Sequence, residues 1–348
     1  MTRHPIRFTP FHLAGALFLL AGLVLAAYHG LEQFGLVPHL GWVSWSHIHF
    51  VTIGGFTQLL FGMLPQLTAR KLRRPLPPKY YDWLNFIGLN GGFLLLWYGR
   101  GWGHTWAFDG GLIAVWLLAA GLLVIMLRMA LQSDRAWNAT TGLYLVSVFV
   151  FLWGITYAYG LFGHVWQVPG GWLGLREAHV HANAWGFLGL AAIATLYDLF
   201  PRLLGTDLYS ERLRDYSAWF LVAGIFPLIT GPWIGRGRTV TATGLVLFAT
   251  GFALYLYTLV QTYGQWIPGR ISRCRCWQPN SGCSDRRASH RSCCSASSGW
   301  IRRISRTARS TSSSWGGRSP SRSPVYCSIS GTSPPRAKGV RGAVTALT

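Results

Sequence analysis

The first 268 residues alternate between long apolar stretches and short polar connections. A hydrocarbon core of about 30 Å requires roughly 20 helical residues, and eight stretches come close to or exceed that length. The pattern therefore predicts an all-α fold, a polytopic transmembrane helix bundle of about eight helices within residues 1–268. No signal-peptide cleavage pattern precedes the first stretch, so we expect it to be a retained span. The eight stretches are residues 11–35, 42–66, 82–98, 110–132, 140–163, 177–200, 216–235 and 240–263.

Basic residues are distributed unequally between the two sets of connections. One set contains the clusters at residues 70–79 and 202–214, together with Arg128 and Arg135. Lys and Arg accumulate on the cytoplasmic side of membrane proteins, so these connections and both chain ends are predicted to be cytoplasmic. This orientation places the protein in the cytoplasmic (inner) membrane of a prokaryote. The opposite, outer connections carry only four such residues: Arg100, Arg176, Arg236 and Arg238.

Composition divides the chain near residue 268. Apolar residues make up 51% of the sequence and charged residues 12%, against roughly 25% charged in soluble domains. Residues 269–348 form a low-complexity Ser/Arg/Gly/Pro tail with a single acid, Asp285, and all six cysteines. Such a composition predicts disorder and is also typical of a G+C-rich gene read out of frame, in which case further helices would follow residue 268. A nucleic-acid-binding arm and a cysteine metal site are weaker alternatives, since the cysteine spacings match no paired C-x-x-C pattern. We therefore expect no nucleic-acid partner.

The second and sixth apolar segments resemble each other. They read "SHIHFVTIGGFTQLLFGMLPQL" and "AHVHANAWGFLGLAAIATLYDLFPRL", and both begin with His-x-His followed by Gly five residues later. The pairs His47/His179 and His49/His181 share one offset of 132 residues, which predicts a parallel internal repeat of four helices. Both segments run inward from the outer face, so all four histidines are expected in the outer half of the membrane.

Histidines inside a membrane helix are functional candidates because an unpaired imidazole is costly there. Residues two apart on a helix point about 200° apart, so the two histidines of one pair are expected to face different centres. A haem, a copper ion and a proton relay all remain open at this stage, as does a simple hydrogen bond to water or backbone. Small residues such as Gly54, Ala184 and Gly186 would allow a flat macrocycle to approach the helices.

Charged side chains near the histidines suggest further roles. Haem propionates are anionic and would need cations at the outer surface, where Arg236 and Arg238 are the candidates, with Arg100 and Arg176 nearby. Snorkelling to the membrane surface is the alternative role for these arginines.

Near the inner end of the sixth segment, Asp198 is expected to cap the helix or to pair with Arg202.

The sixth segment and the stretch that follows resemble a known family. The run "HANAWGFLGLAAIATLYDLFPRL…DLYSERL", from His181 to Leu213, is similar to the sixth helix of subunit I in haem–copper oxidases, especially C-type cytochrome c oxidases and nitric oxide reductases. The resemblance implies that His181 is a catalytic ligand of copper or non-haem iron, with His179 beside it. It also implies that His49 or His47 in the second segment binds a low-spin haem, of b type, and the spacing does not choose between them.

Two departures from that family limit the resemblance. The family carries an adjacent His-His pair on its seventh helix, whereas the seventh segment here, "AWFLVAGIFPLITGPWIGRG", contains no histidine. The family also carries a His-x-His on a tenth helix, which lies beyond the eight segments found here. Copper is therefore a weaker expectation than haem.

Three functions remain open on the sequence. The first is an oxidoreductase subunit that passes electrons from cytochrome c or quinol to oxygen or nitric oxide, together with other oxidase subunits in the lipid bilayer. The second is a non-catalytic haem or metal protein that acts as a sensor, assembly factor or electron conduit. The third is a transporter whose His-x-His repeats belong to a substrate or proton path.

Overall fold

The described residues of the chain fold into eight helices and no strands. A computed structural model describes residues 7–133, 138–162, 166–235 and 237–266. The predicted all-α bundle is confirmed for these residues, whereas the predicted tail at 269–348 lies outside them. The helices are α1 (Pro10–Gln33), α2 (Val43–Leu72), α3 (Lys79–Trp102), α4 (Thr105–Leu131), α5 (Ala139–Phe162), α6 (Gly171–Leu204), α7 (Glu211–Trp233) and α8 (Gly237–Trp266).

Six of these helices are long and apolar enough to cross a membrane, namely α1, α2, α4, α5, α6 and α8. The chain is therefore a multi-helix membrane protein, as the hydropathy pattern predicted. Each of the eight predicted segments corresponds to one helix, and most helices extend several residues beyond the apolar stretch into the polar connections. The extensions arise because helical hydrogen bonding continues through polar residues such as Arg70 and Lys71 until a left-handed residue, here Arg73 with φ of 55°, ends α2.

Helices α2 and α6 share an irregularity at matching positions. A π-helical segment, Phe50–Thr57, interrupts α2 immediately after its His-x-His motif. A second one, His181–Gly189, begins at the second histidine of the motif in α6. Such widened turns are rare and occur frequently at functional sites. The internal repeat found in the sequence therefore extends to the backbone conformation.

Close helix packing uses the small residues of α2 and α6. A Cβ atom added to Gly54 would lie 2.7 Å from Phe18 Cγ of α1, and one added to Gly186 would lie 2.3 Å from Val150 Cγ1 of α5. These glycines therefore let α1 pack closely on α2 and α5 pack closely on α6. In each half of the repeat, the helix with the His-x-His motif thus packs on the helix that precedes it. The expectation that they make room for a macrocycle was wrong, because the neighbouring helix fills that space.

An ion pair joins α2 and α6 at the inner end of the bundle. Lys71 Nζ donates to Asp198 Oδ1, and Asp198 is only 7% exposed. The partner that the sequence analysis expected for this carboxylate, Arg202, is exposed. Because the two helices are far apart in sequence, no local pattern could reveal this pair.

The outer turn between α1 and α2 closes around a buried carboxylate. Glu32 accepts hydrogen bonds from His29 Nδ1 at 2.8 Å and from the backbone N–H of Leu40, and its Oε1 lies 2.8 Å from His39 Nδ1. The side chain of Glu32 is 2% exposed although that of His39 is 76% exposed. The carboxylate therefore holds the loop that precedes α2 against the end of α1.

We expect the substitution Glu32→Ala to lower the free energy of unfolding measurably, because it removes the acceptor for His29 Nδ1 and for the backbone N–H of Leu40. The measurement is denaturant unfolding of the purified protein in detergent. The neighbouring exposed residue Gln33 provides the control, since Gln33→Ala removes a side chain of similar length without such bonds. Equal stabilities of the two variants would contradict this role of Glu32.

Candidate functional site

A mostly apolar cavity of about 290 Å³ lies among α2, α4, α5 and α6. Its wall on α2 extends from Trp45 to Thr57, and its wall on α6 extends from Arg176 to Leu188. Both walls belong to the outer half of the bundle in the orientation that the charge pattern predicts. The ionisable or amide-bearing side chains of the lining are His49, Arg176, His179 and Asn183.

His49 presents one free ring nitrogen in this cavity. Its Nδ1 lies 2.8 Å from the carbonyl oxygen of Trp45, and its ring stacks on the Trp45 indole with centroids 3.9 Å apart at 16°. A carbonyl oxygen only accepts hydrogen bonds, so Nδ1 carries the proton. The Nε2 atom of a neutral His49 therefore retains its lone pair and is available to a metal.

His179 reaches the same cavity from α6 with the same tautomer. Its Nδ1 lies 2.8 Å from the carbonyl oxygen of Gly154 in α5. The side chain of Asn183, one turn further along α6, donates to the backbone oxygen of His179 at 2.8 Å. The ring is thus fixed from its Nδ1 side, which leaves Nε2 available. Ligating histidines in metalloproteins are typically held by such a bond at the other ring nitrogen.

The other histidine of each motif lies outside the cavity lining. His47 bonds through Nδ1 to the carbonyl oxygen of Val43 at 3.1 Å and stacks on His29 of α1. His181 bonds through Nδ1 to the carbonyl oxygen of Leu228 in α7 at 2.8 Å. Pro232 has no N–H to donate to Leu228, so His181 supplies the donor that the proline removes. His181 therefore has a structural partner in α7, and its assignment to a second metal centre stays a prediction.

The cavity thus brings together His49, the second histidine of the motif in α2, and His179, the first histidine of the motif in α6. Motif spacing left the choice between His47 and His49 open, and the family resemblance implied His181, rather than His179, at the reacting centre. The structure brings His49 and His179 to one space because α2 and α6 present different faces to the cavity. Each residue along a helix rotates the side chain by about 100°, so equivalent positions need not point to the same place.

Two arginines accompany the cavity. Arg176 belongs to its lining, and its guanidinium lies 5.1 Å from the centroid of the Trp172 ring. Arg100 of α3 lies 5.3 Å from the centroid of Phe162, another lining residue. Arg238 is exposed at the start of α8 and does not belong to the lining, whereas Arg236 lies outside the described residues. Among the described outer arginines, Arg176 therefore lines the cavity and Arg100 contacts one of its lining residues.

Sequence reasoning missed several contributors to this site. Trp45 lies four residues before His49, so a helix places its ring and its carbonyl beside that histidine. That spacing was a usable signal, since both residues lie in one segment. Asn183 lies four residues after His179 on the same helix, so its spacing was a usable signal as well. Gly154 contacts His179 from another helix, and no pattern within either segment reveals that contact.

No group of three or more His, Cys, Asp or Glu side chains is arranged to hold a metal ion within the residues that the structure describes. The two histidines of the cavity are thus too few to hold a metal ion by protein ligands alone. An iron that brings four ligands of its own in a macrocycle needs only one or two from the protein.

No family model matches the sequence. No curated protein matches it significantly either.

Proposed function

We propose that this chain is a haem-binding membrane oxidoreductase subunit in which His49 and His179 ligate the iron of a b-type haem. The single observation that carries the proposal is the pair of imidazoles in one apolar cavity, each with Nδ1 bonded to a backbone carbonyl. That bond leaves Nε2 of each ring free for iron. Haem, when bound, supplies one-electron transfer.

The remaining cavity residues fit the macrocycle. The lining is mostly apolar, as the faces of a porphyrin require, and Trp45 adds an aromatic surface next to His49. Arg176 and Arg100 stand near one end and suit the two propionates. The enclosed volume of about 290 Å³ is below the range of about 300–1,000 Å³ for small-molecule pockets, so it would hold only part of a haem. The lining residues Ile48 and Val180 are about half exposed, so the space extends toward the surrounding lipid.

The electron donor follows from the resemblance to haem–copper oxidases. Cytochrome c or quinol would deliver electrons, and other oxidase subunits would accompany the chain in the cytoplasmic membrane of a prokaryote. The outer position of both histidines suits a donor that approaches from that side. Arg100 and Arg176, which add positive charge there, would attract the acidic groups of a ligand or partner.

Copper and non-haem iron do not fit the described residues. The resemblance assigns such an ion to His181, yet no three suitable ligands surround one point in the part of the chain that is described. We therefore propose no reaction step through a second metal here.

This shortage of metal ligands favours a second candidate, a non-catalytic haem protein that acts as a sensor, assembly factor or electron conduit. Such a protein would use the same two histidines and the same cavity. It differs from the first candidate in lacking consumption of oxygen or nitric oxide. Gas consumption by the purified haem-loaded protein therefore separates the two.

The proposal is tested by producing the full chain in bacterial membranes with haem supplied. We expect the purified protein to contain protoporphyrin haem and to give a reduced-minus-oxidised spectrum of a low-spin b-type haem. The matched control is the double variant His49→Ala/His179→Ala, which we expect to fold without the spectrum. A folded wild-type protein that acquires no haem would overturn the proposal.

A further inference from the structure

Helices α5 and α6 approach unusually closely at Gly154. A Cβ atom added to this residue would lie 2.3 Å from Nδ2 of Asn183 and 2.6 Å from its Cγ. No side chain larger than hydrogen fits there unless Asn183 moves. The carboxamide of Asn183 therefore occupies the volume that any other residue at position 154 would need.

The same three residues form one hydrogen-bonded group. The carbonyl oxygen of Gly154 accepts from His179 Nδ1 at 2.8 Å, and Asn183 Nδ2 donates to the backbone oxygen of His179 at 2.8 Å. Asn183 Nδ2 also lies 3.3 Å from His179 Nδ1, a contact between two donors and not a further hydrogen bond. The close approach of the backbone and the orientation of the imidazole thus depend on each other.

We propose that Gly154 is a positioning residue for the haem site, and this inference rests on the proposed function. The missing side chain lets the carbonyl of α5 reach His179, so that Nδ1 is protonated and Nε2 faces the cavity. Gly154 acts only through His179, since it is not itself part of the cavity lining. Replacing groups that orient a ligating histidine typically weakens metal binding by about 10–100-fold.

Gly186 provides a control that distinguishes the positioning of His179 from ordinary packing between helices. It belongs to the same pair of helices, and an added Cβ would lie 2.3 Å from Val150 Cγ1, an apolar contact of similar severity. No histidine bonds to the Gly186 carbonyl among the described hydrogen bonds. The substitution Gly186→Ala should therefore disturb packing between α5 and α6 without releasing His179.

The first measurement is haem titration of the full chain and of its variants. We expect Gly154→Ala to weaken haem binding by about 10-fold or more and to alter the low-spin spectrum. Gly186→Ala should bind haem like the wild type even if its thermal stability falls.

The second measurement requires no haem. With ¹⁵N-labelled histidine, NMR of the haem-free protein should show His179 as the Nδ1–H tautomer, and Gly154→Ala should lose that signature while Gly186→Ala retains it. A wild-type His179 that is not in this tautomer would overturn the inference even if Gly154→Ala failed to fold. Identical haem binding by the two alanine variants would also overturn it. A wild type that shows the tautomer but binds no haem would instead overturn the proposed function.

Discussion

Replacing either His49 or His179 with alanine is expected to abolish the low-spin haem spectrum. Each substitution removes one of the two imidazoles that line the cavity, leaving the iron with at most one protein ligand. Loss of a ligand should weaken binding by more than the roughly 10–100-fold typical of groups that merely orient one. Any haem that remains should become high-spin and bind carbon monoxide. Optical and electron paramagnetic resonance spectra of the purified variants provide the measurement.

The repeat itself supplies the matched controls. His47→Ala and His181→Ala remove the other histidine of each motif, and neither of these residues belongs to the cavity lining. We expect both variants to retain the low-spin spectrum, although His181→Ala should lose stability because Leu228 O loses its donor. Retention of haem by His179→Ala together with loss in His181→Ala would overturn the assignment of His179 as the iron ligand.

The second large effect is expected at the inner end of the bundle. The substitution Asp198→Ala removes the buried carboxylate of this ion pair, whereas the Lys71 side chain is 16% exposed and its ammonium can be solvated. Breaking a fully buried pair typically costs about 3–5 kcal/mol of stability, so the partly exposed pair should cost about 1–3 kcal/mol. We expect a shift of that size in the denaturant unfolding of the purified protein in detergent.

Two further variants test the cause of that shift. Because apolar residues can replace a buried ion pair without loss, Lys71→Met/Asp198→Leu should be close to the wild type in stability. Arg202→Gln, at the exposed residue that sequence reasoning paired with Asp198, should change stability by less than about 0.5 kcal/mol. A large loss on Arg202→Gln and none on Asp198→Ala would show that the pairing in solution is the one predicted from sequence.

Helix number and approximate position could be predicted because they depend on local chemistry. A stretch of about 20 apolar residues that cannot leave its backbone groups unpaired in lipid must form a helix. The repeated His-x-His motifs likewise predicted that the candidate site lies on α2 and α6, and the two π-helical segments lie at those same motifs. The π-helical segments themselves were not predicted, because a pattern of apolar and polar residues does not distinguish a widened turn from a regular α-helical turn.

Only some of the residues of the candidate site could be predicted from the sequence. His49 and His179 were both candidates, yet the motif paired them with His47 and His181 rather than with each other. Gly54 and Gly186 were expected to make room for a ligand, whereas they contact the preceding helix of each half. Small residues permit close approach of any neighbour, and sequence alone does not say whether that neighbour is a cofactor or another helix.

The sequence by itself determined the helical class, the number of apolar segments, their charge asymmetry and the four histidines that carry the candidate chemistry. These features depend on residues near one another along the chain. Only the tertiary structure decided that His49 and His179 share a cavity, that Gly154 and Leu228 hold the imidazoles of α6, and that Lys71 pairs with Asp198. The physical reason is that rotation of a helix about its own axis is set by packing against distant segments, and that rotation chooses which side chains meet.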